Sequence, residues 1–272
     1  MDRSIDRKGQ VTVYEYTAFD QDPNTLDRTI TYTDDTLSDK LEETVFDPAT
    51  GQQKYILAYN AGQDIVARRE FVYAGEDLSQ VLVFNTSEIS DADARTTGLG
   101  TLDSTFFYSK TVFKVPVVNR VENADGSVDT YTYDAVGRGF LQKISRKNAE
   151  GYLLFENFFE NNTYLESKLV RGFTYERIGN ADVRKTQTLY FYDTNQELIR
   201  TEEYEILGQT DDLTTSGLSP PEGDAADRIL TVTIFEDGSP KKIENTSYLS
   251  NGDIKEYSET DLAPQCTTRT TK

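Results

Sequence analysis

Any chemistry done by this 272-residue chain is done without histidine, because the sequence contains none. That removes Ser-His-Asp and Cys-His catalysis, imidazole general bases and the commonest zinc ligand. The single cysteine, Cys266, stands close to the end of the chain, lacks an activating neighbour and can form no internal disulfide. Carboxylate chemistry remains. A glycosidase needs only two carboxylates at a fixed separation, but with 47 Asp and Glu residues pairs are always on offer and no spacing singles one out. No glycine-rich loop sits between a strand and a helix to cradle phosphate. The expectation is a chain that is not an enzyme and carries no cofactor.

Calcium is the ion to weigh against that expectation. Asp20-Gln21-Asp22-Pro23-Asn24 opens like an EF-hand loop, which makes Asp20, Asp22 and Asn24 candidate ligands. Thr25 and Thr31 stand where that loop has glycine and glutamate, and the flanks read as strands. Aspartates in such loops also serve as plain turn formers. Sequons at Asn85, Asn161 and Asn245 are candidate glycosylation sites in an exported chain. The formal net charge of −19 opposes binding to nucleic acid and to anionic membrane surfaces. No apolar run reaches the ~18 residues of a membrane span, and the first residues contain no apolar leader segment.

The elements that would position such residues are strands. Hydrophobic residues make up 36% of the chain, concentrated in 17 Tyr and 14 Phe with no Trp, a composition that suits pleated, half-buried surfaces. Phe19, Tyr32, Phe46, Tyr59 and Tyr73 are spaced 13, 14, 13 and 14 residues apart, and turn formers follow each of them. Removing ~4 turn residues per interval leaves strands of roughly nine to ten residues. Between Gln63 and Tyr73, Ile65, Ala67, Phe71 and Tyr73 share one face, on which Arg69 also falls, while Val66, Arg68, Glu70 and Val72 share the other. Such alternation between turn signals predicts antiparallel hairpins.

The pattern divides the chain into blocks. Residues 1–86 form a first hairpin block. Residues 87–105 interrupt it as a surface excursion, with one or two helical turns over Ser87–Arg95. Residues 106–206 form a second block, in which Phe159, Tyr175 and Tyr192 are 16 and 17 apart and predict longer strands. Within it, Glu156 to Val170 reads as a hairpin, because Asn161-Asn162-Thr163 breaks the alternative helix. A turn-rich loop covers 207–227. Terminal hairpins follow over 228–262, where Phe235 and Tyr248 precede Asp237-Gly238 and Asn251-Gly252 pairs, and then a polar tail over 263–272.

The best-formed unit is Tyr131-Thr132-Tyr133-Asp134-Ala135-Val136-Gly137-Arg138. It resembles the YD-repeat, or RHS-type, family at Tyr133, Asp134, Gly137 and Arg138. Tyr192-Asp193-Thr194-Asn195 and Phe46-Asp47-Pro48-Ala49-Thr50-Gly51 look like degenerate copies, and the final units are also similar to the glycine-punctuated hairpins of MORN-like proteins. The resemblance implies long sheets of antiparallel hairpins that spiral into a shell, as in toxin-enclosing proteins and cell-surface adhesins.

The fold class expected is all-β: a repetitive antiparallel meander forming one long twisted sheet with scope to curl into a partial shell or open barrel. Its repeat anchors are Phe19, Tyr32, Phe46, Tyr59, Tyr73, Tyr133, Asp134, Gly137, Tyr192, Phe235 and Tyr248. The function expected is a non-enzymatic structural or cell-surface protein that self-associates through edge strands as a fibre or surface layer. A carbohydrate-binding or adhesion module and a segment of a toxin-enclosing shell are the alternatives. All three fit an extracellular or cell-surface location.

Overall fold

The computed structural model describes residues 2–16, 26–96, 100–134, 138–161, 167–206, 228–249 and 252–262. The chain divides into two compact units, Met1–Val128 and Asp129–Lys272. The first holds β1 (Asp2–Ile5), β2 (Val11–Tyr16), β3 (Leu26–Tyr32), β4 (Lys40–Phe46), β5 (Gln53–Tyr59), β6 (Ile65–Ala74), β7 (Asp77–Asn85), the short helix α1 (Asp91–Ala94), β8 (Thr101–Lys110) and β9 (Pro116–Asn123). β10 (Val128–Tyr133) opens the second. It is followed by β11 (Leu141–Lys147), β12 (Leu153–Asn161), β13 (Ser167–Ile178), β14 (Ala181–Tyr192), β15 (Leu198–Glu205), β16 (Arg228–Glu236), β17 (Ser239–Tyr248) and β18 (Ile254–Asp261). Within each unit strands pair antiparallel with their neighbours in sequence, so the expected all-β meander is what forms.

A β-bulge punctuates nearly every hairpin. From β2–β3 to β8–β9, and from β11–β12 to β17–β18, each pairing carries one register shift. The residue just past the shift is Tyr16, Tyr32, Phe46, Tyr59, Tyr73, Phe84 and Tyr108 in the first unit. In the second it is Lys147, Phe159, Tyr175, Tyr192, Tyr204, Phe235 and Tyr248. Lys147 is the one exception to an aromatic rule. A bulge leaves two residues opposite one and sharpens the local twist. A large ring suits that place because it covers the widened step.

Turns follow these residues, and several show why Asp or Asn comes next. The backbone N–H of Asp47, Asn60, Asp134, Asn148 and Asp193 donates across the turn to the carbonyl of Gln52, Asp64, Phe140, Tyr152 and Glu197, at 2.7 to 3.0 Å. Their side-chain oxygens then accept from backbone N–H groups inside or closing the turn. A short carboxylate or amide performs both tasks without leaving the chain. At Asp237-Gly238 both residues have positive φ, 50° and 73°, in the two-residue hairpin turn that an Asp-Gly pair favours.

Packing in the first unit centres on a transverse row. Val13, Ile30, Glu43, Leu57, Arg68 and Phe84 stand directly opposite one another across β2 to β7. All six are buried. Leu57 and Ile65 pack with Ala94 of α1, and Tyr55, Tyr59 and Ile89 fill in around them. The stretch read as a surface excursion thus contains α1 and the first residues of β8, and α1 lies against the sheet. The alternation assigned Arg68 to the more polar face of β6; it is instead among the most buried residues, 1% exposed. In the second unit Phe173 and Val232 are buried, and Phe158 meets Phe173 edge-on at 5.9 Å. The expected hairpin over 156–170 is present as β12 and β13, and β13 and β14 are 12 residues each, as the wider aromatic spacing predicts.

Candidate functional site

The densest polar arrangement lies over β3, β4, β5 and α1. Glu43, in mid-β4, is 1% exposed. Its carboxylate accepts from the Tyr59 hydroxyl at 2.8 Å, from Arg95 Nη1 at 3.0 and 3.1 Å, and from Arg28 Nη1 at 3.3 Å. Arg95 Nη2 also donates to the Tyr59 oxygen at 2.7 Å, and Arg28 Nε donates to Glu15 at 2.6 Å. Burial alone would raise the Glu43 carboxyl pKa, but the Tyr59 hydroxyl and the two guanidinium groups outweigh it and hold the pKa below the ordinary range. Burial and the adjacent carboxylate keep Tyr59 protonated well above its usual range.

Beside this cluster, Arg68 stacks 4.0 Å from the Tyr55 ring, donates to Glu70 at 2.8 Å and donates to the Ala94 carbonyl at 3.0 Å. That carbonyl belongs to the last residue of α1. Ser90 caps the other end by accepting from the Asp93 N–H. Asp91 accepts from the Ile65 N–H at 3.1 Å, and Thr86 Oγ1 donates to the Ile65 carbonyl at 2.9 Å. The α1 segment is therefore tied to the sheet by polar bonds at both ends, through Asp91 at one and the Ala94 carbonyl at the other.

The second unit carries a counterpart. Tyr175 of β13 donates to Glu156 of β12 at 2.5 Å, Lys143 of β11 bonds the same carboxylate at 3.0 Å, and Arg184 of β14 donates to the Tyr175 oxygen at 3.3 Å. Glu43 and Glu156 each lie three residues ahead of a bulge aromatic, Phe46 and Phe159. Tyr59 and Tyr175 are the bulge aromatics of the following strands. The two clusters thus occupy corresponding places in the repeat. Burial and the Glu156 contact push the Tyr175 phenol up to about 12. In both clusters both carboxylate oxygens accept hydrogen bonds and the tyrosine is held neutral, an arrangement that joins three or more strands. Neither pairing is tuned for proton transfer near neutrality.

The sequence-derived anchors fall as follows. Tyr32, Phe46, Tyr59, Tyr133, Tyr192 and Tyr248 end their strands; Tyr73 and Phe235 are the last residue but one of theirs. Asp134 is buried, accepts from the Gly139 and Phe140 N–H groups and from Arg138 Nε, and Arg138 lies 4.8 Å from the Phe140 ring. Phe19, Gly137 and Cys266 lie outside the described residues, as do Asp20, Asp22 and Asn24 and the loop and tail at 207–227 and 263–272. Among the described residues no group of three or more Asp, Glu or Cys side chains is placed to hold a metal ion. Asn85 ends β7, Asn161 ends β12, and Asn245 lies within β17, where it accepts from Thr231. The sequence reading did not find Arg28, Glu43, Arg68, Arg95, Glu156 or Arg184. The available signal was a Glu three places before an anchor aromatic, too common a residue here to stand out.

No protein-family model matches the chain, and no curated protein matches it. Solved structures align over most of it at low similarity. TcdB2-TccC3-TEV matches 96% of this chain and 14% of its own, at 11% identity and TM-score 0.28. TcdB2-TccC3 without the hypervariable C-terminal region matches 94% and 15%, at 11% identity and TM-score 0.30. A porin-like protein from Bacteroides uniformis matches 95% and 96%, at 12% identity and TM-score 0.26. The chain spans about 15% of the length of the first two. The meander itself rests on the strand registers, independently of these alignments.

Proposed function

We propose that this is a non-enzymatic structural β-repeat protein whose copies join through their terminal strands at a cell surface or outside the cell. The observation that carries the reading is the state of β1 and β18. All four residues of β1 and all eight of β18 are exposed. β1 is in register with β2 over four residues and β18 with β17 over seven. Exposed apolar side chains, Ile5 on β1 and Ile254 and Tyr257 on β18, accompany these edges. An uncovered edge is a template for another chain.

Charge favours one mode of joining. Residues 2–8 carry Arg3, Arg7 and Lys8 against Asp2 and Asp6, a net of +1; residues 254–261 carry Lys255 against Glu256, Glu259 and Asp261, a net of −2. Pairing β18 with another β18 sets like charge against like, whereas on β1 it meets a strand whose Asp2 and Arg3 cancel, with Arg7 and Lys8 in the turn beyond it. Head-to-tail contacts of that kind build rings or open filaments. The test is light scattering after size exclusion, with negative-stain microscopy, at rising protein concentration. Growing oligomers that E256K/E259K abolishes and low salt strengthens are expected. Compact monomers at high concentration overturn the reading.

A second reading, a segment of a YD-repeat shell, draws support from the recurring aromatic–Asp/Asn turn at Phe46-Asp47, Tyr133-Asp134 and Tyr192-Asp193. A toxin or immunity gene adjacent to this one would favour it over the first; their absence would count against it.

A further inference from the structure

The hairpin between β8 and β9 differs in chemistry from turns of the same backbone form. In that form the first residue accepts from the fourth, which has positive φ. Asp6–Gly9, Asn60–Gln63, Thr111–Lys114, Asn123–Gly126, Asn148–Gly151 and Asp193–Gln196 all share it. The two middle positions lie between the bonded residues. They hold Arg7-Lys8, Ala61-Gly62, Ala124-Asp125, Ala149-Glu150 and Thr194-Asn195 in five of these turns. In the sixth they hold Val112-Phe113, which are 75% and 63% exposed, with Val115 beside them at 45%. Turn chemistry does not select such residues, and Lys114 adopts a φ of 60° where glycine would be the easier choice. A solvated turn gains nothing from this composition.

The surrounding charge is also distinct. Ser104 to Val121 is the longest stretch of the chain without Asp or Glu, and it contains Lys110, Lys114 and Arg120. Lys110 pairs with Asp77 and Arg120 with Glu122, and Lys114 is exposed at the tip. A chain of net charge −19 thus presents an apolar hairpin tip that carries Lys114 and no acidic residue of its own.

We infer that the Val112–Val115 tip inserts into a phospholipid interface, with Val112, Phe113 and Val115 entering the acyl boundary and Lys114 meeting lipid phosphate. The size and make-up of the tip favour lipid over a protein partner. The tip exposes apolar area on the order of 300 Å², against roughly 450 Å² of apolar surface a side in a standard protein–protein interface of roughly 800 Å². An apolar tip that carries a lysine also matches the make-up of interfacial anchors, whose aromatic and aliphatic side chains enter while cations stay among the headgroups. The overall negative charge makes zwitterionic bilayers the better surface.

The test is flotation of the full chain with phosphatidylcholine vesicles, with and without phosphatidylserine, beside V112S/F113S. Because both side chains are exposed, the double variant keeps the circular dichroism spectrum and unfolding midpoint of the parent. The parent should float with phosphatidylcholine vesicles, and the double variant should lose at least about tenfold in partitioning. The chain contains no tryptophan, so F113W supplies a lone reporter whose emission should shift to the blue on adding vesicles. Failure of the parent to float with either vesicle, or equal flotation of V112S/F113S, overturns the inference. So does a lipid-free oligomer that V112S/F113S alone dissolves, which would assign the tip to protein contact. E256K/E259K should leave flotation unchanged, which separates this inference from strand-edge assembly.

Discussion

Replacing Glu43 with Gln tests whether the buried cluster holds the first unit together. The side chain is 2% exposed and accepts from Tyr59, twice from Arg95 and from Arg28. Glutamine keeps the size but loses the charge, and its amide NH₂ must face at least one of those donors. Breaking a fully buried ion pair costs about 3–5 kcal/mol. Here the arginine side chains are 39% and 37% exposed, so they recover solvation and the expected loss falls to about 2 kcal/mol. Urea unfolding near neutral pH should register it as a lower midpoint with an unchanged slope. The acid side provides an independent check. Burial raises the Glu43 pKa, yet the hydroxyl and guanidinium contacts lower it further, so its folded value lies below the reference of 4.5. The contribution is complete above that reference and is lost as pH falls through the depressed value. The gap between wild type and E43Q should therefore shrink as pH falls below the reference of 4.5 and on through the depressed value. A loss under ~0.5 kcal/mol at neutrality, or a gap that does not narrow with acid, would refute the clamp.

Two further outcomes follow from the same geometry. Tyr175, shifted to about 12, should be among the last phenols to ionise in an absorbance titration. Its raised pKa contributes stability below the unfolded value of ~10 that is lost as pH rises through the folded one, and Tyr175→Phe should cost about 1 kcal/mol in urea unfolding. Gln63 and Gln196 share a positive φ near 70°. Gln196→Gly should stabilise by about 0.5–1 kcal/mol on relief of that strain. Gln63→Gly should show no such gain, because the Gln63 side chain bonds both the N–H and the carbonyl of Lys40. Equal thermal shifts in the two variants would show that strain alone governs both turns.

The strand plan was legible where a large ring stands at or next to the strand end and a turn former follows, as at β3 to β6, β10, β14 and β17, because both have strong local causes. Tyr32, Phe46, Tyr59 and Tyr73 mark strand ends for that reason. The bulge itself was not legible. A slip of one residue between strands leaves no trace in a period-two pattern on either one. Nor were Glu43 and Arg68 legible as buried, because alternation assigns charged residues to water. Their burial depends on α1, which reaches them from 26 residues or more along the chain. The counterpart at Glu156 and Tyr175 was hidden for the same reason: each partner comes from a different strand.

The bulge tyrosines also limit how such a chain can lengthen. Tyr192 donates to the Leu169 carbonyl and Tyr248 to that of Ile229. Leu169 and Ile229 face Phe159 and Tyr204, the bulge aromatics two strands earlier. Each ring is thus keyed to its predecessor at the same end of the meander. Duplicating or deleting two strands preserves that match, whereas a change of one strand sends every later ring to the opposite end. The heritable module is the strand pair, and length variants that keep the fold should differ by even numbers of strands.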